Sequence, residues 1–178
     1  MQFRLEKYRS PLCELTLITD DDGALHALDF DGYEPRMRRL LRDHYGEVDV
    51  KKGSAPDSLR RKLDAYFAGE IDALEDLPVT TGGTPFQRDV WQALRAIPAG
   101  ETRSYGQIAA AIGCAGASRA VGAANGANPV AIVVPCHRVI GANGTLTGYG
   151  GGLERKRWLL DHERRYSKAN LFSSASAT

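Results

Sequence analysis

The sequence predicts an α/β domain over its first 80 residues and, after it, a mainly α domain that carries a helix-turn-helix. Three observations predict this. Residues 15–30 read as a β-hairpin and are followed by two helical stretches. A proline- and glycine-rich segment near residue 80 coincides with a change in the sign of the charge. Beyond it, apolar residues recur at helical spacing, and a capping pair and a tight turn separate two short helices.

In the first half, Leu15-Thr16-Leu17-Ile18-Thr19 and Ala24-Leu25-His26-Ala27-Leu28-Asp29-Phe30 flank the turn Asp20-Asp21-Asp22-Gly23. Those aspartates lack the loop spacing and downstream glutamate of a calcium site, so they are read as turn formers. In the helix that follows, Met37, Leu40, Leu41 and His44 share a face. A second helix, with Asp57 as its expected cap, carries Leu59, Leu63 and Phe67 towards Gly69. His26 and His44 are read as structural.

Leu77-Pro78-Val79-Thr80-Thr81-Gly82-Gly83 is the expected domain boundary. Residues 1–80 carry 12 Lys plus Arg and 17 Asp plus Glu, whereas residues 81–178 carry 11 and 5. The overall charge of +1 therefore hides an acidic half and a basic half, and the basic half suits a polyanion.

Thr84-Pro85 opens a helix in the favoured cap and first-turn order, with Phe86, Val90, Leu94 and Ile97 along one stripe, and Pro98-Ala99-Gly100 stops it. Ser104 and Gln107 form a capping-box pair for a short helix through Ile108 and Ile112, ended by Gly113. The turn Cys114-Ala115-Gly116 leads to a second helix, Ala117–Ala127, completing a helix-turn-helix pattern that also occurs in proteins that never touch DNA. Each interior glycine of that helix costs about 1 kcal/mol relative to alanine. Close packing is one explanation and suits Gly126. The alternative is a slim helix pressed against a narrow surface such as the DNA minor groove, roughly 6 Å wide, with Arg119 as its long cationic side chain.

Pro135-Cys136-His137-Arg138-Val139-Ile140 follows the apolar run Val130-Ala131-Ile132-Val133-Val134, so a thiol and an imidazole stand side by side where a buried strand is expected to end. Cysteine after such a run is often an inert small hydrophobe. The alternative is a nucleophile, because a thiol of pKa about 8.5 needs a base or a positive field to react, and His137 and Arg138 offer both. Neighbouring side chains on a strand point to opposite faces, so either the chain turns at Cys136 or a water bridges the pair.

Composition excludes several classes. The 178 residues are 43% hydrophobic, enough for one ordinary core or two small domains. No run has the length of a membrane span, and the N-terminus lacks the apolar stretch of a secretory signal, so no membrane partner and a cytoplasmic setting are expected. Cys13, Cys114 and Cys136 are odd in number and without paired spacing, against a disulfide framework or a zinc module. Gly148-Tyr149-Gly150-Gly151-Gly152 lacks the Lys-Ser/Thr of a P-loop and the context of a dinucleotide fingerprint.

Together these segments resemble the O6-alkylguanine-DNA alkyltransferases, or methylated-DNA–protein-cysteine methyltransferases. Pro135-Cys136-His137-Arg138-Val139 is similar to the family's active-site signature. Arg119-Ala120-Val121-Gly122, seventeen residues earlier, is similar to its DNA-binding helix. Ser104-Tyr105, Asn128-Pro129, Gly148-Tyr149-Gly150-Gly151 and His162-Glu163 fall at the family's spacings. The resemblance is close from 84 to about 165 and looser before that, chiefly to bacterial single-protein members, with no appended phosphotriester-sensing domain expected.

The resemblance implies a ribonuclease-H-like domain over 1–80, a winged-helix-like DNA-binding and transferase domain over 81–167 and a flexible tail over 168–178. It implies irreversible, stoichiometric transfer of an alkyl group from O6-alkylguanine in a flipped-out base to the Cys136 thiolate, without cofactor or metal. Activity on O4-alkylthymine stays open. His137 would take the thiol proton through water, Glu163 would orient the histidine, and Asn128 would tie the recognition helix to the active-site strand. Tyr105 would serve the rotated phosphate and donate to the departing base. Arg119 would fill the gap left in the duplex, with Ser118, Ala120 and Gly122 on the DNA-facing helix. Cys136, Val139, Tyr149 and Gly150 would form the base pocket. Some members carry serine where this chain has Gly150, which leaves the range of alkyl groups open. The partner implied is double-stranded DNA through its minor groove, bound by a monomer, with cooperativity open. The charged residues Arg155, Lys156, Arg157, Arg164 and Arg165 of the helix after Leu153 are read as a solvated face, with contact to DNA phosphates as the alternative. Two rivals are a cysteine hydrolase and a non-catalytic DNA-binding or damage-sensing protein.

Overall fold

The computed structural model describes residues 1–168, so the expected tail, Lys168 apart, lies outside the described residues. Four strands, β1 (Gln2–Arg9), β2 (Glu14–Thr19), β3 (Leu25–Phe30) and β4 (Asp49–Lys52), form a sheet of order β3-β2-β1-β4. The first three are antiparallel neighbours, and β4 runs parallel to β1. The predicted hairpin is β2–β3. Its turn is tied by the Asp20 carboxylate, which accepts from the amides of Asp22 and Ala24.

Both faces of the sheet are covered. Phe3, Leu5, Ile18 and Ala27 pack with Met37 and Leu41 of α1 (Glu34–Tyr45). Leu15, Leu17, Leu28 and Phe30 point the other way, into a core shared with α2 (Asp57–Phe67) and the C-terminal half. Asp57 does not cap α2. Pro56 occupies that position, and Asp57 stands in the first turn, where its charge favours the positive helix end.

The proline-glycine boundary is packed against its neighbours. Val79 bridges Leu25 of β3, the Thr80 amide donates to the Leu25 carbonyl at 3.0 Å, and a Cβ on Gly82 would lie 2.5 Å from the His44 Cβ. The second half begins with α3 (Pro85–Arg95), closed by a Thr84–Gln87 capping box. The predicted Ser104–Gln107 box opens α4 (Tyr105–Ala111), and Gly113 and Gly116 take positive φ in the turn before α5 (Ser118–Gly126). Val121 and Ala124 bury α5, and the Trp91 indole donates to the Ala124 carbonyl at 2.8 Å. Two-residue strands β5 (Arg103–Ser104) and β6 (Val139–Ile140) pair in parallel, and α6 (Leu153–Arg165) is the last element among the described residues.

The run Val130–Val134 is not a strand. It is a compact turn in which Ile132 adopts φ +69° and the Val134 amide donates to the Val130 carbonyl at 2.9 Å. Its first residues lie along β3. The Leu28 amide donates to Pro129, and the Ala131 amide donates to Leu28. The N-terminal sheet thus fixes the segment that delivers Cys136.

Candidate active site

Cys136, His137 and Arg138 form a single turn of 3-10 helix between Pro135 and β6, so the chain does turn at the cysteine. Asn128 holds the approach. Its amide donates to the Val134 carbonyl at 2.8 Å, and its Oδ1 accepts from the Val130 amide at 2.9 Å. Asn128 therefore ties the end of α5 to a turn, not to a strand as expected. Asn125 of α5 donates to the Cys136 carbonyl at 3.3 Å.

Behind Cys136 lies a buried charged network. His137 and Glu163 are 0% and 1% exposed, and His137 Nε2 meets Glu163 Oε2 at 2.7 Å. His137, Arg138 and their hydrogen bonds hold the Glu163 carboxyl far below the carboxylate range against the opposing effect of burial. Ionised, Glu163 can only accept, so His137 carries its proton on Nε2 and leaves Nδ1 as a lone-pair acceptor. That Nδ1 is buried without a partner. Burial lowers the His137 pKa while Glu163 opposes, leaving the imidazole neutral near pH 7. Burial raises the Cys136 thiol, opposed by Asn128, Arg36, Tyr149 and Lys156. Near neutral pH the pair is therefore thiol plus neutral imidazole.

Cys136 opens onto a cavity of about 510 Å³, lined also by Tyr105, Ser118, Arg119, Gly122, Tyr149 and Gly150. Tyr105 begins α4, and its hydroxyl accepts from Thr147 at 3.1 Å. The Tyr149 hydroxyl is buried beside the thiol, and its ring lies 5.9 Å from that of Phe30. A Cβ on Gly150 would stand in ordinary contact, 3.7 Å from the Arg36 guanidinium, and Arg36 borders the pocket. Val139 does not line the cavity. Its side chain is buried, its amide donates to Cys136 and its carbonyl accepts from Lys156 at 2.6 Å.

Arg119 and Ala120 are exposed on α5, with Ser118 and Gly122 half-buried beside them. Close packing does not explain the glycines. A Cβ on Gly126 would meet nothing within 4 Å, and one on Gly122 only the Tyr105 ring at 3.8 Å. Helix α5 has room for side chains it lacks.

Three participants escaped the sequence reading, and a fourth, Arg138, was read only as a source of positive charge beside the thiol. Lys156 was placed on a solvated face, yet it is 0% exposed and donates to the carbonyls of Val139 and Thr147. Its spacing to Leu159, Leu160 and Glu163 was the available signal, because positions three, four and seven apart share a helix face. Arg138 clamps Glu163 through Nε at 2.8 Å and binds the Ile97 carbonyl at 2.7 Å. Arg36 joins Asp29 to the Gly126 and Asn128 carbonyls. Tyr66 reaches Glu163 from α2. Among the described residues no group of three or more His, Cys, Asp or Glu is placed to hold a metal.

A mixed-sheet half, a helix-turn-helix half and a cysteine-bearing pocket where they meet define a DNA-binding protein with one buried, base-flanked thiol. The comparisons agree. A family model described as 6-O-methylguanine DNA methyltransferase, DNA binding domain, matches residues 85–165, and its ribonuclease-like domain counterpart matches 3–81. Methylated-DNA–protein-cysteine methyltransferases of Salmonella typhimurium and Shigella flexneri are 56% and 53% identical over 160 residues, covering 89% of this chain and 94% of each relative. The crystal structure of the Mycobacterium tuberculosis O6-methylguanine methyltransferase superposes with TM-score 0.78 at 44% identity, covering 96% of this chain and 98% of that one. A structure from the same organism in complex with DNA gives 0.75. The chain belongs to the methylated-DNA–protein-cysteine methyltransferase family.

Proposed function

We propose that Cys136 is the acceptor for the family's reaction in this chain: direct-reversal transfer of an alkyl group from O6 of guanine in DNA to a protein cysteine. The protein is a single-turnover alkyltransferase that repairs DNA. The sulfur attacks the alkyl carbon, a carbon–sulfur bond forms as the carbon–O6 bond breaks, and the thiol proton passes through water to His137 Nδ1. The guanine anion leaves and gains a proton at a ring nitrogen, with the Tyr105 phenol as donor. A thioether cannot be hydrolysed as an acyl-enzyme is, so each molecule reacts once.

One observation carries this reading. His137 Nδ1 is buried without a partner while Glu163 holds the other ring nitrogen, the arrangement of a base awaiting a proton. The target base must leave the duplex to meet a buried sulfur. Arg119 takes its place from the minor-groove side, and the missing side chains at Gly122 and Gly126 let α5 lie close to the backbone. Tyr149 and Gly150 wall the base pocket; Gly150 supplies an amide without the hydroxyl some members have. The functional units are 1–80 and 81–167. The protein works as a cytoplasmic monomer. No helix of the described residues is long and apolar enough to cross a membrane.

Duplex DNA containing O6-methylguanine, incubated with the protein and followed by intact-mass and peptide analysis, tests the assignment. The expected result is one methyl adduct per molecule, on Cys136. Repeated turnover without an adduct, or an adduct on Cys13 or Cys114, would overturn it.

A further inference from the structure

The Glu163 carboxylate accepts four hydrogen bonds. Oε1 accepts from Arg138 Nε at 2.8 Å, and Oε2 accepts from His137 Nε2 at 2.7 Å, Arg138 Nη2 at 3.1 Å and the Tyr66 hydroxyl at 2.6 Å. A carboxylate has about two lone-pair sites on each oxygen, and here the donors crowd onto Oε2, which takes three of the four bonds. Three of the donors come from the 3-10 turn beside Cys136. The fourth comes from α2, in the other half of the molecule. Tyr66 is 0% exposed, and its carbonyl accepts from His162 Nε2 at 2.7 Å, which fixes the backbone that aims the phenol. A phenylalanine would fill the same core, so the hydroxyl has another role.

We infer that Tyr66 is a positioning residue for alkyl transfer, supplied by the N-terminal half, which holds Glu163 as the acceptor for His137 Nε2–H. This rests on the assignment of Cys136, His137 and Glu163 above. His137 Nε2 and Arg138 Nη2 already share Oε2, and the phenol adds a short third bond that lowers its affinity for the histidine proton. The proton stays on Nε2, and Nδ1 stays available to the thiol. The charged and titratable groups acting on His137 are Glu163, Arg138 and Lys156. Those acting on Tyr66 are Glu163 and Arg138, with Tyr149 also interacting with it electrostatically and the His162 ring 5.2 Å away. Removing the phenol leaves more uncompensated negative charge beside His137, which favours the imidazolium and keeps the base occupied to higher pH.

The test is the pH dependence of the single-turnover rate of methyl transfer from an O6-methylguanine duplex. In Tyr66→Phe the midpoint of the acid limb is expected to rise by roughly half a pH unit or more, as loss of a donor to a neighbouring carboxylate requires. Replacing Tyr66 by 3-fluorotyrosine, a stronger donor of nearly the same shape, is expected to move it down, and this arm stands if the phenylalanine variant fails to fold. A midpoint unmoved in the folded variants, whatever their melting temperature, would make Tyr66 core filling and overturn the inference. The wild-type adduct is mapped first: an adduct away from Cys136 refutes the site assignment, whereas an adduct on Cys136 with unmoved midpoints refutes only the role of Tyr66.

Discussion

At the scale of single residues, the site depends on a backbone held in an unfavourable shape. Ile132 is β-branched and buried at φ +69°, a left-handed conformation that costs roughly 1–2 kcal/mol for an L-residue. Asn128 spans that turn, bonding Val130 before Ile132 and Val134 after it. Asn128→Ala strands the buried Val130 amide and leaves the Val134 carbonyl with the Cys136 amide as its donor. A stranded buried group costs roughly 1–3 kcal/mol, so the variant is expected to lose about 2 kcal/mol of unfolding free energy. Urea denaturation measures it, and a loss below about 1 kcal/mol would show that the turn holds itself without the asparagine.

At the scale of elements, α5 sets fit to a partner against its own stability. Gly122 has ordinary φ, and a Cβ there meets only the Tyr105 ring at 3.8 Å, so nothing in the folded chain requires glycine. Gly122→Ala is expected to stabilise the protein by about 0.8–1 kcal/mol through helix propensity and to weaken duplex binding. Melting temperature and a DNA titration read the two effects separately; unchanged DNA affinity would remove the close-approach role of α5. The helices were legible because their signals are local: Ser104 and Gln107 sit three residues apart, and each bonds the other's backbone. Strand β1 was not, because Arg4, Glu6 and Lys7 fill the gaps between Phe3, Leu5 and Tyr8 and lengthen the polar appearance of the segment. Val130–Val134 misled for the opposite reason. Five apolar residues are buried equally well by a strand or by a tight turn, and only Ile132's dihedral separates them. Cys136, His137 and Glu163 were found through a motif, whereas Tyr66 has no motif and meets Glu163 across 97 residues of chain.

At the scale of the whole molecule, the two halves share one apolar core, and the Glu163 network crosses between them. The acidic half supplies Tyr66, Arg36 and the edge of β3, so it helps build the site as well as flanking it. That coupling makes stability depend on pH in a defined direction. The His137 pKa is depressed below its ordinary 6.5, so as pH falls through 6.5 the unfolded chain gains a proton that the native protein refuses. The Glu163 pKa is depressed far below 4.5, so its contribution is complete above 4.5 and drains away below. Asp29, raised by burial, acts the other way, but it is one carboxyl against the pair. Stability is therefore expected to fall gently from pH 7 to 5 and steeply below 4.5. In Glu163→Gln the protein starts less stable, because the buried Arg138 loses its counter-charge, yet the steep segment should flatten, since the group whose protonation drives it is gone. Urea midpoints for both proteins across pH 3–7 give the comparison. Parallel curves would mean that acid unfolds the protein through its surface carboxylates and that the interdomain network is not the acid-sensitive joint.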